Sequence, residues 1–175
     1  MPKTHEQYNK EKLAFALNLS KQNKFFRKAR ALVVKDGKLL VLHKLNNHSL
    51  QLPGGGINDN ENAKSATLRE VKEETNAIIK INHYLGKYYY TVKLDLNNQQ
   101  FLSKRVEFIY ICDFVKFCED RPLGIDGEFS NNVELVEIPF SSLNKISLPP
   151  KLRQKALEYL KTHYKGWQNK ITYWQ

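Results

Sequence analysis

The sequence predicts an α+β domain, a three-layer α/β/α arrangement with strands gathered between helices. Three observations carry that expectation. An Asp-Gly hairpin signal stands near the start, a charged helix follows a run of three glycines, and an amphipathic helix closes a long series of strand-like runs. Helices that interrupt a succession of strands give both sides of a sheet something to bury.

Taken in order, residues 7 to 24 form a basic amphipathic segment whose apolar content is Leu13, Ala14, Ala16 and Leu17. Bulky apolar residues are too few for membrane binding, so residues 1–26 are expected to pack as a helical segment on the domain or a partner subunit. Two apolar runs, 31–34 and 39–42, flank Lys35-Asp36-Gly37-Lys38, and the Asp-Gly pair makes this a hairpin. Residues 49–52 are a short strand leading into Pro53-Gly54-Gly55-Gly56. A helix follows over 63–75, then strands at 77–83, 86–94, 99–101 and 106–117, with polar residues 95–100 turning a hairpin. Residues 132–138 read as another strand. Pro149-Pro150 then precedes a helix over 151–163 with Leu152, Ala156, Leu157 and Leu160 on one stripe. The main domain is placed at 27–165, and residues 166–175 form an aromatic tail containing Trp167, Tyr173 and Trp174.

The chain of 175 residues is sized for one domain with a real core. No hydrophobic run is long enough to span a bilayer, and the start lacks a signal-peptide core. Cys112 and Cys118 are the only cysteines; Cys112 falls in an apolar strand run and reads as a buried thiol, which fits a reducing cytoplasm. The net charge of +10 attracts polyanions such as nucleotides or RNA, although abundant lysine and asparagine make part of it compositional.

The helix over 63–75 is odd in its own terms. Asn62 supplies an N-cap oxygen. At about 100° per residue, Glu70, Glu73 and Glu74 share one face, and Leu68, Val71 and Thr75 form a stripe on the other. Like charges at these spacings repel, and Glu73 and Glu74 also oppose the negative end of the helix dipole, each at a cost of a few tenths of a kcal/mol. Asn76 suits the left-handed position beyond the helix. A solvated acidic face with Arg69 paired to Glu73 is the ordinary explanation. The glycine run argues against it, because glycines let a main-chain carbonyl approach and complete an oxygen shell that the carboxylates begin. Magnesium takes hard oxygen ligands of this kind. No Ser-His-Asp or Cys-His constellation is present, so a covalent intermediate is not expected.

The pattern Gly55-x5-Glu61-x7-Arg69-Glu70-Val71-x-Glu73-Glu74-x-Asn76-Ala77 resembles the Nudix box, G-x5-E-x7-R-E-U-x-E-E-x-G-U. Asn76 departs from the final glycine and Ala77 from the bulky aliphatic residue. The resemblance implies a mixed sheet sandwiched between helices. It also implies divalent metal, magnesium with manganese as the alternative, and hydrolysis of a nucleoside diphosphate linked to another moiety. By position it makes Glu73 and Glu74 metal ligands, with the Gly54 carbonyl as a third contributor. Glu70 becomes a ligand or the base that takes a proton from attacking water, and Arg69 anchors a carboxylate, most simply Glu73. Glu61 acts through water or supports the loop.

An additional acid is sought among Asp126, Glu128 and Glu134, with Glu128 favoured as a metal ligand. Substrate phosphate contacts are assigned to His43, Lys44 and the backbone at Gly55 and Gly56, with Lys104, Arg105, Arg27 and Arg30 as alternatives. Tyr88-Tyr89-Tyr90 places rings on alternate strand faces, one of them a candidate for stacking on a base. The expected function is a magnesium-dependent pyrophosphohydrolase acting on a small nucleotide. The alternatives are an RNA 5′-pyrophosphohydrolase and a non-catalytic nucleotide-binding module. A homodimer through the apolar terminal segments is a further expectation.

Overall fold

Asp36 and Gly37 both adopt positive φ, 49° and 74°, so the expected hairpin closes through a turn whose twist matches that of its strands. It joins β1 (Phe26–Lys35) to β2 (Lys38–Lys44), with Lys35 opposite Lys38. The computed structural model describes residues 5–22, 24–96, 99–118 and 132–164. The aromatic tail at 166–175 lies outside the described residues.

The sheet has seven strands, with the order β3 (Ser49–Gln51), β2, β1, β6 (Gln99–Phe117), β5 (Ala77–Leu96). Two further strands attach off this path: β4 (Gly54–Gly56) to β1 and β7 (Val133–Pro139) to β2. β1 and β6 run parallel while the other pairs are antiparallel, so the sheet is mixed.

Alternation along β1 divides the molecule into layers, because successive side chains point to opposite faces. Leu32 and Val34 join Leu39, Val41, Ile109 and Ile111 beneath α3 (Pro150–His163) and a 3-10 helix at Phe140–Lys145. Ala31 and Val33 join Leu40, Tyr110 and Cys112 beneath α2 (Ala63–Thr75). Pro150 occupies the start of α3, where its missing N–H breaks no helical bond. The N-terminal helix α1 (His5–Lys21) lies against the β5–β6 hairpin: Ser20 Oγ donates to the Leu102 carbonyl at 2.7 Å, and Phe15 meets Phe26 edge-on at 5.9 Å.

Some expectations change. The runs 77–83 and 86–94 are one strand, because register shifts around Tyr84 and Gly86 bend the ladder without ending it. The runs 99–101 and 106–117 are likewise continuous, since residues 102–105 pair with 90–93 throughout. The glycine run is itself a strand, β4, made possible by close backbone approach. Cys112 is fully buried and unpaired, and burial pushes its thiol up to about 12. Among the described residues no helix is long and apolar enough to cross a membrane.

Candidate functional site

Helix α2 begins and ends as its sequence dictates. Asn62 Oδ1 accepts the Ser65 N–H at 2.9 Å, and Asn76 sits in the left-handed region at φ 57° with its N–H on the Lys72 carbonyl. The Asn76 side chain also donates to the Cys118 carbonyl at 2.8 Å, a bond that glycine cannot make. The buried stripe is Ala66, Thr67, Val71 and Thr75, not Leu68, which is 42% exposed. Thr67 and Thr75 tolerate burial because each hydroxyl donates to the carbonyl four residues back, Ala63 and Val71.

Arg69 gathers the acids. Its Nε and Nη2 grip both oxygens of Glu61 at 3.0 and 2.8 Å, while Nη1 reaches Glu70 at 2.7 Å and Glu73 at 2.9 Å. Nη2 also donates to the Gly56 carbonyl at 2.9 Å, tying the helix to β4. The bidentate partner is therefore Glu61, and Glu73 takes only a single bond. Glu61 additionally accepts the Asn58 N–H at 3.2 Å, so it braces the loop instead of standing in solvent. Its bond to Arg69 outweighs its desolvation and holds its carboxyl below the ordinary range, and the same bond raises Arg69.

Gly54 explains the glycine run. Ala31 N–H bonds to the Pro53 carbonyl and Ile57 N–H to the Arg27 carbonyl, so the Arg30–Gly54 pair between them is of the non-hydrogen-bonded kind. The amide and carbonyl of Gly54 therefore turn away from β1 and meet side chains. Its N–H donates to Glu74 Oε2 at 2.7 Å, and its carbonyl accepts from Arg30 Nη1 at 3.0 Å. With φ at 134°, a Cβ there would strike the Ala29 carbonyl. A Cβ on Gly55 would instead collide with the Glu70 carboxylate.

These groups line a cleft of about 1410 Å³. Gly54, Gly55, Gly56, Arg69, Glu70, Glu73 and Glu74 share it with Lys24, Arg27, Lys28, Arg30 and Lys44. Phe15, Leu19, Phe25, Phe26, Tyr89 and Phe108 supply an apolar, aromatic lining to the same space. Tyr89 stands 56% exposed and meets Phe25 edge-on at 5.3 Å. Tyr88 and Tyr90 turn to the other strand face, as alternation requires, and stack at 5.5 Å while donating to the two oxygens of Glu107 at 2.6 and 2.7 Å. Glu107 is 5% exposed and lies 3.6 Å from Arg30 Nε.

Several assigned contacts fall elsewhere. His43 shares its face with Leu39 and Val41, on the α3 side, and does not line the cleft; it lies beside His48 and 3.9 Å from Glu134. Strand alternation puts its neighbour Lys44 on the cleft side. Glu134, on β7, does not line the cleft either, although its neighbour Val133 does, and neither Lys104 nor Arg105 lines it; Arg105 rests over the Phe26 ring at 5.5 Å. Asp126 and Glu128 lie outside the described residues. Glu107 and the aromatic residues 15, 25 and 26 were not singled out by sequence reasoning. A lone acid in the apolar run 106–112 was the available signal for Glu107.

Among the described residues no three His, Cys, Asp or Glu side chains are already gathered as a metal cage. The donor set nevertheless fits a hard divalent cation. Carboxylates of Glu70, Glu73 and Glu74 line one cleft with the glycine backbone, and a guanidinium already serves as the shared positive partner of two of them.

An archaeal relative, the ADP-ribose pyrophosphatase of Methanocaldococcus jannaschii, is 28% identical over 141 residues, covering 79% of this chain and 72% of its own. A NUDIX hydrolase structure from Nitrosomonas europaea superposes with a TM-score of 0.57 at 20% identity, covering 79% of this chain and 90% of that one. A UDP-X diphosphatase structure gives 0.55 at 16% identity, covering 86% and 71%. At such identities the two structures speak for the fold. The model of the NUDIX domain matches residues 25–162, most of the chain and all of the acid-bearing helix, so this chain belongs to the NUDIX domain family.

Proposed function

We propose that the chain is a divalent-metal-dependent pyrophosphohydrolase that cleaves the diphosphate linkage of a nucleotide or nucleoside diphosphate derivative. One observation carries this reading: the acids of α2, six basic side chains and an aromatic lining all border a single cleft. The name of the archaeal relative, ADP-ribose pyrophosphatase, supports the same chemistry.

Glu73, Glu74 and Glu70 are the residues to hold magnesium or manganese, with the Gly54 carbonyl contributing. That ion, when bound, supplies charge neutralisation of the diphosphate and acidification of water. The chain's own residues do the rest. Arg69 keeps Glu70 and Glu73 from swinging into solvent while Glu61 holds the guanidinium from behind. Glu74 fixes the orientation of Gly54 through its N–H. Glu70, pressed against Gly55, serves as ligand or as acceptor of the water proton. Lys24, Arg27, Lys28 and Lys44 attract the phosphates, a task of positioning and electrostatics that suits phosphoryl transfer. Tyr89 and Phe25 offer ring surface for a base.

A metal-supplemented screen of nucleoside triphosphates, sugar nucleotides, ADP-ribose, dinucleoside polyphosphates and triphosphorylated RNA tests the proposal. Release of a nucleoside monophosphate from a small diphosphate ester is the expected outcome. Turnover of RNA alone, with affinity falling steeply as salt rises, would move the assignment to the 5′ end of RNA. Nucleotide binding without product under every metal and pH would leave a binding module.

A further inference from the structure

Glu107 is costly where it stands. A carboxylate with 5% exposure on an otherwise apolar stretch of β6 loses its hydration, and apolar replacements at such places are often neutral or stabilising. Its two oxygens are each taken by a tyrosine hydroxyl, and burial, which opposes its charge, is outweighed by Arg30, the two hydroxyls and Lys28, so it stays ionised. What this charge faces is informative. Arg30 lies 3.6 Å away through Nε, while its Nη1 donates to the carbonyls of Leu52 at 2.8 Å and Gly54 at 3.0 Å. The guanidinium therefore bridges a buried anion and both ends of the turn that precedes the acidic helix.

We infer that Arg30 and Glu107 form a charge-cancelling brace behind the glycine turn. Arg30 fixes the turn, and Glu107 cancels the positive charge that would otherwise oppose a divalent cation at Gly54. A carbonyl oxygen has two lone pairs, and Arg30 uses one of those on Gly54. A cation approaching the other meets a guanidinium two bonds away in a partly dehydrated place, where repulsion is weakly screened. Glu107 removes most of that repulsion at its source. Tyr88 and Tyr90 complete the arrangement by satisfying the carboxylate without adding charge, their own ionisation suppressed first by burial and then by Glu107. Both residues are positioning residues. The inference rests on the cation reading of the site.

Manganese binding to the full chain, measured by calorimetry without substrate and alongside metal-free thermal melts, separates the alternatives. Glu107→Gln keeps the shape and leaves Arg30 uncompensated, so its manganese affinity should fall by about 10- to 100-fold. The double variant Arg30→Gln with Glu107→Gln removes both charges and should recover to within about threefold of the unaltered chain, because the remaining polar contacts carry no net charge. Equal affinity in Glu107→Gln and the unaltered chain overturns the inference. So does a double variant as weak as the single one, since a collapsed turn and not charge would then be responsible. Should Glu107→Gln not fold, the double variant alone decides: near-native affinity supports the brace, and a large loss refutes it. Absence of manganese binding in the unaltered chain removes the cation reading itself, and the brace with it.

Discussion

The two faces of this sheet are built for different purposes. On the α3 side the packing is mostly apolar and large: Leu32, Leu39, Ile109, Leu143 and Leu160 are fully buried, and the Arg30–Glu107 pair, which shares this face by strand alternation, is its charged exception. On the α2 side larger residues such as Leu40, Ile79 and Tyr110 stand beside small ones, with Ala29, Ala31, Ala66 and Ala77 fully buried and Val71 the main bulky contributor from the helix. Small residues on β1 let α2 lie close, so its acids reach the β4 glycines. Stability and chemistry are thus divided across one sheet by the alternation of a single strand. The acid-bearing face carries a burden of mutual repulsion that the α3 face, with its larger cluster of buried apolar residues, offsets.

Substitutions on each face should separate along that division. The largest effect is expected from Glu73→Gln, which removes a cleft carboxylate that is 39% exposed and takes a single bond from Arg69. Its kcat/KM with magnesium should fall by about 10³-fold, while the unfolding free energy shifts by no more than about 0.5 kcal/mol. A variant keeping full turnover would contradict the ligand role. Leu160→Ala is the counterpart on the other face. It should cost about 3 kcal/mol in a urea titration and leave the kcat of the folded fraction unchanged. Equal damage to turnover would show that the faces are coupled after all.

This division also decides what could be read beforehand. The bounds of α2 were legible because capping and left-handed geometry act within a few residues, through Asn62 and Asn76. The hairpin at Asp36-Gly37 was legible for the same reason. The grip of Arg69 on Glu61 was not, because it depends on a loop folding back over eight residues, whereas the nearer Glu73 suggested itself from helical spacing. His43 and Lys44 could not be told apart without knowing the register of β2, and one residue of register exchanges the faces. The brace at Glu107 is more distant still: it joins residues 30, 88, 90 and 107, which meet only because β6 pairs in parallel with β1 and antiparallel with β5.

A smaller effect should appear in the pH dependence of stability. Glu61 is held below its ordinary value of 4.5 by Arg69, so the folded state binds its proton less readily than the unfolded chain does. Its contribution is complete above that ordinary value and is lost as pH falls through the lowered folded value. The gap in unfolding free energy between the unaltered chain and Glu61→Gln should therefore stay level near neutrality and narrow in acid. A gap that widened in acid would mean that Arg69 is not the partner that matters.

The smallest expected effect sharpens the comparison most directly. Helical spacing placed Leu68 on the buried stripe with Val71 and Thr75, yet the structure turns it outward and buries Thr67 in its stead. The reason lies in the geometry of the acids. Holding Glu70 and Glu74 toward β4 rotates α2 so that residues 67, 71 and 75, each four apart, meet the sheet, and a leucine one step on is carried about 100° away. Leu68→Ala should then change stability by less than about 0.5 kcal/mol, against roughly 2–5 kcal/mol for a leucine in a core. Thr67→Val should cost more than its near-identical shape suggests if the Ala63 carbonyl depends on that hydroxyl. A core-sized loss at Leu68 would mean that α2 sits in another rotation, with its acids turned away from the glycine strand.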